Sequence, residues 1–518
     1  MRYSTFKTKC ENIKGVKNYA LAFLLGALLT STMPPIGFIP MLFVSIPGLA
    51  FLSINAPTPG KSFLTGWAFG AGYFIFGLYW ISAALFVDIA QWGWVLPLSA
   101  IVGPAALALI YGFIPLLARR WRHNEAAYAF ALAATWSGIE WLRGHLFTGF
   151  PWNLPGYGWH WALPVMQASS VVGIYGLTLL TLIWGMLPVL SSQRRLALGV
   201  TASIIVVFAF GSIRLLLNPT EQSGHYTVRL VQANIPENVK WNNDEDWRNL
   251  EKHINLTDLK KTPADPDLPD PPTFTIWPET AVSADLTAFP DIAHIIATSL
   301  PKDSYGILGA LRVDASNQGH PSFYNSVSVL TKSDKIVANY DKHHLVPFGE
   351  YIPFRDHIPF TPLALAVSGI GDFTRGPGPT TLHIDKLPPF SPLICYEVIF
   401  PGEVVDENDR PEWMVNVTND GWYGKTAGPH QHLGIARVRA IEEGLPLARA
   451  ANTGISAMFD PLGRSLGDQA LLTAGHVDAI LPKFLPPTVY SRFGDSLFFV
   501  MLVIMASVSE LILRRKKS

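Results

Sequence analysis

The chain has 518 residues, 49% of them hydrophobic and only 15% charged, with a formal net charge of +0 and a mean hydropathy of +0.25. A soluble domain carries roughly a quarter charged residues, so one ordinary soluble domain is excluded. A balanced charge gives no footprint for nucleic acid.

In chain order, apolar blocks come first. A bilayer core takes about 20 mostly apolar residues in a helix. Residues 63–86, 93–118 and 162–193 contain no Asp, Glu, Lys, Arg or His, and shorter apolar blocks cover 19–33, 38–54, 126–139, 196–213 and 496–509. The expectation is a polytopic α-helical membrane domain of about eight transmembrane helices, about seven before residue 217 and one at the C-terminus. A shorter block alone would equally serve as a buried core helix.

Basic residues set the orientation. They cluster at Arg2, Lys7, Lys9, Lys14 and Lys17, at Lys61, at Arg119, Arg120 and Arg122, at Arg194 and Arg195, and in the final RRKKS. The intervening loops at 34–37 and 87–92 have none. Both tails are therefore expected in the cytoplasm and the segment after span seven outside it. The first block lacks a small-residue cleavage site and reads as a retained anchor. The expected division is 1–216 membrane domain, 217–490 outer domain, and 491–518 last helix with a basic tail.

From His225 the texture changes. Strand-like runs follow one another: YTVRLVQANI, TFTIWPET, SYGILGAL, YNSVSVLT, SPLICYE, EWMVNVTND and ISAMFDP. QHLGIARVRAIEEG, at 431–444, reads as a helix with a Gly stop. Residues 261–272 read as a Pro- and Asp-rich loop. Strands alternating with helices predict an α/β layered domain.

Glu279, Lys342 and Cys395 each fall where a strand-like run passes into a loop, a common place for reactive groups. Cys395 is one of two cysteines. With Cys10 cytoplasmic it has no disulfide partner in the chain. A thiol near pKa 8.5 is mostly unreactive at neutral pH. A carboxylate can take its proton, and an ammonium can hold the oxyanion that follows. Such a set suffices for acyl transfer, although a lone cysteine can equally be a buried structural residue.

The local wording narrows this. WPE at 277–279, YDK at 340–342 followed by PFGEYIP, ICYE at 394–397, NDGW at 419–422 and RAANTG at 449–454 resemble the nitrilase (carbon-nitrogen hydrolase) superfamily. Joined to a polytopic half, and with EWLRGHLFTGFPW at 140–152 and VQANIPENVKW at 231–241, the chain resembles the apolipoprotein N-acyltransferase family over almost its whole length. The resemblance implies an αββα sandwich with Glu279 as general base, Lys342 as oxyanion-stabilising cation and Cys395 as nucleophile. It implies a ping-pong transfer from a phospholipid donor, through a thioester, to the N-terminal diacylglyceryl-cysteine of an apolipoprotein. The outer domain would then be periplasmic, on a bacterial inner membrane. Neither cofactor nor metal is needed, and a monomer suffices.

Glu350 and Glu397 match further acidic positions and are expected to position Lys342 and the thiol. The N–H of Tyr396 is a candidate oxyanion donor, and Asn325 a candidate lining residue. Trp241, Trp422 and Tyr423 resemble positions flanking a lipid-accessible pocket, for which core packing is the alternative. His343 and His344 are read as local hydrogen-bonding residues, and Glu140 with Arg143 as a structural pair or a headgroup contact. The rival functions are a membrane-tethered amide hydrolase with the same triad and a transporter or scaffold. The intact triad argues against the second.

Overall fold

A computed structural model of the chain describes residues 7–515 except 9, 11–12, 241–242, 317–320 and 354–371. The described chain forms two compact units: 1–219 with 426–438 and 487–518, and 220–425 with 439–486. The short segment 426–438 groups with the first unit, although by sequence it lies deep inside the second.

The first unit is helical. Among the described residues, Leu98–Trp121, Arg194–Leu217 and Ser496–Arg515 are long and apolar enough to cross a membrane. Pro59–Gly77 and Tyr79–Phe86, bent by 42°, add a fourth if they count as one span. The other expected spans are shorter or more polar. Val16–Leu29 has 14 residues and Leu42–Ile54 has 13, with Pro47 inside it. Ser169–Gly185 is interrupted at Gly173, and Glu125–His145 carries Glu125, Glu140, Arg143 and His145. Eight uninterrupted spans are thus not what the helices display by length and composition. Proline and glycine break the apolar blocks into pieces.

Small residues set how closely these helices approach. A β-carbon on Gly72 would lie 1.9 Å from the carbonyl oxygen of Phe23, and one on Gly26 would lie 1.9 Å from that of Phe69. Glu140 and Arg143 do pair, at 2.5 Å and fully buried. Arg143 also donates to the carbonyls of Phe150 and Trp152, and Glu140 accepts from Tyr111 and Trp136. With both side chains out of reach of the surface, the pair braces the 146–152 loop rather than meeting a headgroup.

The second unit is a sandwich of two sheets. Strands β1 (Gln222–Gln232), β2 (Phe274–Val282), β3 (Tyr305–Asp314), β4 (Ser322–Thr331) and β5 (Ile336–Asp341) are joined by β11 (Gly475–Pro482) in the order β11-β1-β2-β3-β4-β5. The second sheet holds β6 (Phe390–Ile394), β7 (Trp413–Thr418), β8 (Leu447–Ala451), β9 (Ser456–Phe459) and β10 (Ser465–Gln469) in the order β10-β9-β8-β7-β6. The pairs β1/β2, β2/β3, β6/β7 and β7/β8 are parallel. Parallel neighbours need crossovers. Helices Asp246–Thr257, Pro290–Ser299 and Gly428–Glu443 supply three of them.

Side chains alternate between two buried faces. Phe274 and Ile276 point into the core between the sheets, against Phe390, Trp413, Val415 and Val417. Trp277, one residue on, points the other way and packs with Leu250, Ala293 and Ile296 of the covering helices. Strands buried on both faces are apolar almost throughout, which is why these runs stand out in the sequence.

Candidate active site

Three strand ends converge. β2 pairs regularly with β3 up to Trp277–Leu308, then not again until Val282–Ala310, so residues 278–281 bulge out of the ladder. Thr280 takes a φ of 46° within this bulge. Gly309 lies opposite. A β-carbon there would come 2.2 Å from the carbonyl oxygen of Pro278 and 2.7 Å from Cα of Glu279. Glycine is what lets the bulge close over β3 and turn Glu279 inward.

Lys342 follows β5 directly, and its N–H is held by the carbonyl of Asn325 at 2.9 Å. Its Nζ, 1% exposed, sits 2.8 Å from Glu350 Oε1 and 3.3 Å from Glu279 Oε1. Asn325 Nδ2 donates to both carboxylates, at 2.8 Å to Glu279 and 2.9 Å to Glu350. The second oxygen of Glu279 accepts the main-chain N–H of Asn419 at 2.8 Å, and that of Glu350 accepts the N–H of Val346 at 2.8 Å. Burial works against the ammonium of Lys342, but Glu350, then Glu279 and Cys395, outweigh it and raise its pKa. Lys342 therefore stays a cation through the neutral range.

Cys395 opens the turn after β6 with a φ of 50°, a conformation that costs a non-glycine residue on the order of 1–3 kcal/mol unless its surroundings hold it. Glu397 holds it. Its carboxylate accepts the N–H of Ile394 at 2.7 Å, of His343 at 2.8 Å and of His344 at 3.3 Å, and the hydroxyl of Tyr340 at 2.8 Å. It thus ties the Cys395 turn to the Lys342 loop through main-chain donors, without a hydrogen bond to Lys342. Burial pushes the Cys395 thiol up, and the charge of Glu279 adds to this. Lys342 and a hydrogen bond with Thr418 pull the other way. The net rise leaves a neutral thiol at rest, which needs a base to attack.

Tyr396 is buried and packs edge-on against Phe400. Tyr423 is partly buried, and its hydroxyl is pushed up by burial first and then by the charges of Cys395, Asp420 and Glu279. It closes the turn Asp420–Tyr423, which directly follows Asn419, the residue whose main-chain N–H binds Glu279. Trp422 is 38% exposed. Trp241 lies outside the described residues. His343 contacts Glu397 at 2.7 Å, and His344 lies 3.5 Å from Glu403. Ligand atoms of His343, His344 and Glu403 lie within 4.8 Å of one another, a grouping that adjacent histidines did not announce in the sequence. With His343 engaged by Glu397, the grouping serves the turn.

NDGW and RAANTG, two separate motifs in the sequence, meet here. Arg449 pairs with Asp420 at 2.7 Å and also donates to Asn416. Both partners are fully buried. Two residues of the site were not singled out by sequence, Glu237 and Lys240. Lys240 Nζ donates to the carbonyl of Glu279 at 2.9 Å.

A family model described as the apolipoprotein N-acyltransferase N-terminal domain matches residues 25–187, and one described as carbon-nitrogen hydrolase matches 227–477. Apolipoprotein N-acyltransferase of Rhodopseudomonas palustris is 39% identical over 97% of this chain and 96% of its own length. That of Brucella melitensis is 37% identical over 98% of each. The chain belongs to the apolipoprotein N-acyltransferase family. Its activity is acyl transfer, and its second unit has the carbon-nitrogen hydrolase fold. An amidase from Nesterenkonia sp. overlaps 55% of this chain and 98% of its own at 16% identity and a TM-score of 0.35, too small an overlap to argue from.

Proposed function

We propose that the chain moves an acyl group from a membrane phospholipid, through a thioester on Cys395, to the α-amine of the N-terminal diacylglyceryl-cysteine of an apolipoprotein. The observation that carries this is one buried cluster in which Lys342 bridges Glu279 and Glu350 beside a thiol that only a base can activate.

Glu279 takes the thiol proton as Sγ bonds to the ester carbonyl carbon. The oxyanion is held by the Lys342 ammonium and the N–H of Tyr396. The carbon–oxygen bond to glycerol then breaks, Glu279 returns the proton to the leaving oxygen, and a lysophospholipid departs. In the second half the lipoprotein amine attacks the thioester carbon. Glu279 takes the amine proton, the carbon–sulfur bond breaks, and the proton passes to sulfur. Forming an amide from a thioester runs downhill, so the second step drives the cycle. Trp422 and Tyr423 would line the entry for acyl chains, where aromatics with a polar edge suit the boundary between lipid and water.

The distribution of basic residues supports cytoplasmic tails, with residues 217–490 in the periplasm of a bacterial inner membrane. The shorter apolar helices would complete a set of about eight embedded in that membrane. A tethered amide hydrolase with the same triad would need no lipid-facing entry and no such helical base.

Incubation of the full-length chain with phospholipid is expected to add one acyl mass to Cys395 in intact-protein mass spectrometry, removable by hydroxylamine. Transfer to a lipopeptide without any such adduct would sink the covalent route.

A further inference from the structure

Glu237 and Lys240 belong to ENVK, the single helical turn after β1, and the reaction above gives them no part. Both are buried, at 6% and 7% exposure. A charge is seldom buried without partners, and the contacts of these two converge on one residue. Lys240 Nζ grips the main-chain carbonyl of Glu279 at 2.9 Å. Glu237 Oε2 accepts from Asn419 Nδ2 at 2.9 Å, and the main-chain N–H of Asn419 donates to Glu279 Oε2 at 2.8 Å. The Asn419 side chain is pinned at its other end, because its Oδ1 accepts from Asn452 Nδ2 at 3.1 Å. One turn of chain thus reaches Glu279 twice, at its main chain and through the donor to its carboxylate.

The NDGW turn is shaped to admit Glu237. A β-carbon on Gly421 would come 2.6 Å from Glu237 Oε2 and 3.0 Å from Asn419 Oδ1. The electrostatics agree with the contacts. Burial lowers the proton affinity of Lys240, while Glu237, Glu279 and Cys395 oppose the fall in that order. Asp246 and His253 line one small cavity together with Lys240 and Glu279.

We propose that Glu237 and Lys240 are positioning residues for acyl transfer, a buried pair of opposite charges that holds Glu279 where it takes the thiol proton. This rests on reading Glu279 as the base, and the rate of Cys395 acylation by phospholipid tests the two separately. An adduct in the unmodified chain and none in Cys395→Ala upholds the thioester route, whereas no adduct in either overturns that route before Lys240 comes into question. With the adduct established, Lys240→Met is expected to slow its formation at least about tenfold. It should also move the acid limb of the rate–pH profile to higher pH, because a cation beside Glu279 favours the carboxylate. Lys240→Gln, which keeps a donor for the Glu279 carbonyl, should recover rate but leave the limb displaced. Glu237→Gln, nearly isosteric, should slow acylation about tenfold and decides the matter if the Lys240 variants fail to fold. Unmodified rates and profiles in Lys240→Met and Glu237→Gln overturn the proposal, as does a lower melting temperature with an unmoved profile.

Discussion

Lys342 and Glu279 share more than a contact. Lys342 lies 2.8 Å from Glu350 and 3.3 Å from Glu279, so the cation leans toward the carboxylate to which the proposed mechanism gives no proton transfer. In that mechanism this leaves Glu279 free to exchange a proton with sulfur while Lys342 keeps its charge. Glu279→Gln retains the size and the acceptor for Asn419 but removes the base. Adduct formation on Cys395 is expected to fall about 10²- to 10⁴-fold, read by mass spectrometry at fixed times. Acylation at the unmodified rate would remove Glu279 from that role. Glu397 acts differently, since its bonds run to main-chain donors on both sides of the site. Glu397→Gln is expected to disturb the Cys395 turn, lowering thermal stability and acylation together, and an unchanged melting temperature would refute the brace. Glu279, Lys342 and Cys395 were legible as chemistry-bearing residues near strand ends, whereas Glu350 and Asn325 were singled out only through the family wording around them. Glu237 and Lys240 were legible in neither way. Their only signal was two opposite charges three residues apart directly after an apolar strand, a pattern that usually marks a solvated helix face.

At the scale of elements, the bulge in β2 decides the direction in which Glu279 points. It depends on a residue of the neighbouring strand. Gly309→Ala would drive a methyl group against Pro278 and Glu279. The expected cost is about 1–3 kcal/mol of stability, together with a loss of acylation larger than the fraction unfolded explains. Thermal unfolding and the adduct rate measured on one preparation check this, and a normal value for both would show that the bulge tolerates a side chain. The strands were readable because both faces are buried. TFTIWPET falls on β2, YNSVSVLT on β4 and EWMVNVTND on β7. QHLGIARVRAIEEG falls on the helix Gly428–Glu443. Strands β8 and β11, edge strand β10 and helices Asp246–Thr257 and Pro290–Ser299 were passed over, β8 although it is fully buried. β10 is mostly exposed, and the helices bury only one stripe each, so neither leaves a continuous apolar run.

For the molecule as a whole, the second unit closes its first sheet with an ion pair. Arg229 on β1 meets Asp478 on β11 at 2.7 Å, both side chains almost fully buried. Burial alone would raise the Asp478 carboxyl, but Arg229 and His476 pull it down to about 2. An unfolded Asp titrates near 3.9. A depressed carboxyl contributes stability that is present above the unfolded value and lost as pH falls toward the folded one. Stability of the chain is therefore expected to drop between about pH 4 and pH 2, and Asp478→Asn should flatten that slope in acid unfolding curves. Parallel curves for the two proteins would show that the pair carries no such dependence.

What the amino-acid order determined by itself is whatever depends on near neighbours along the chain. Apolar blocks without charge, basic residues at their ends, strand-like runs and short reactive motifs are all local patterns, and each could be read without coordinates. Span number was less secure, because length and hydropathy describe a block while proline, glycine and buried partners decide whether it stays one helix. Only the tertiary structure decided which distant groups meet. Glu279, Lys342, Glu350, Asn419 and Lys240 come from separate segments, and their charges matter only because folding removes the water between them and leaves a few ångströms of weakly screening protein.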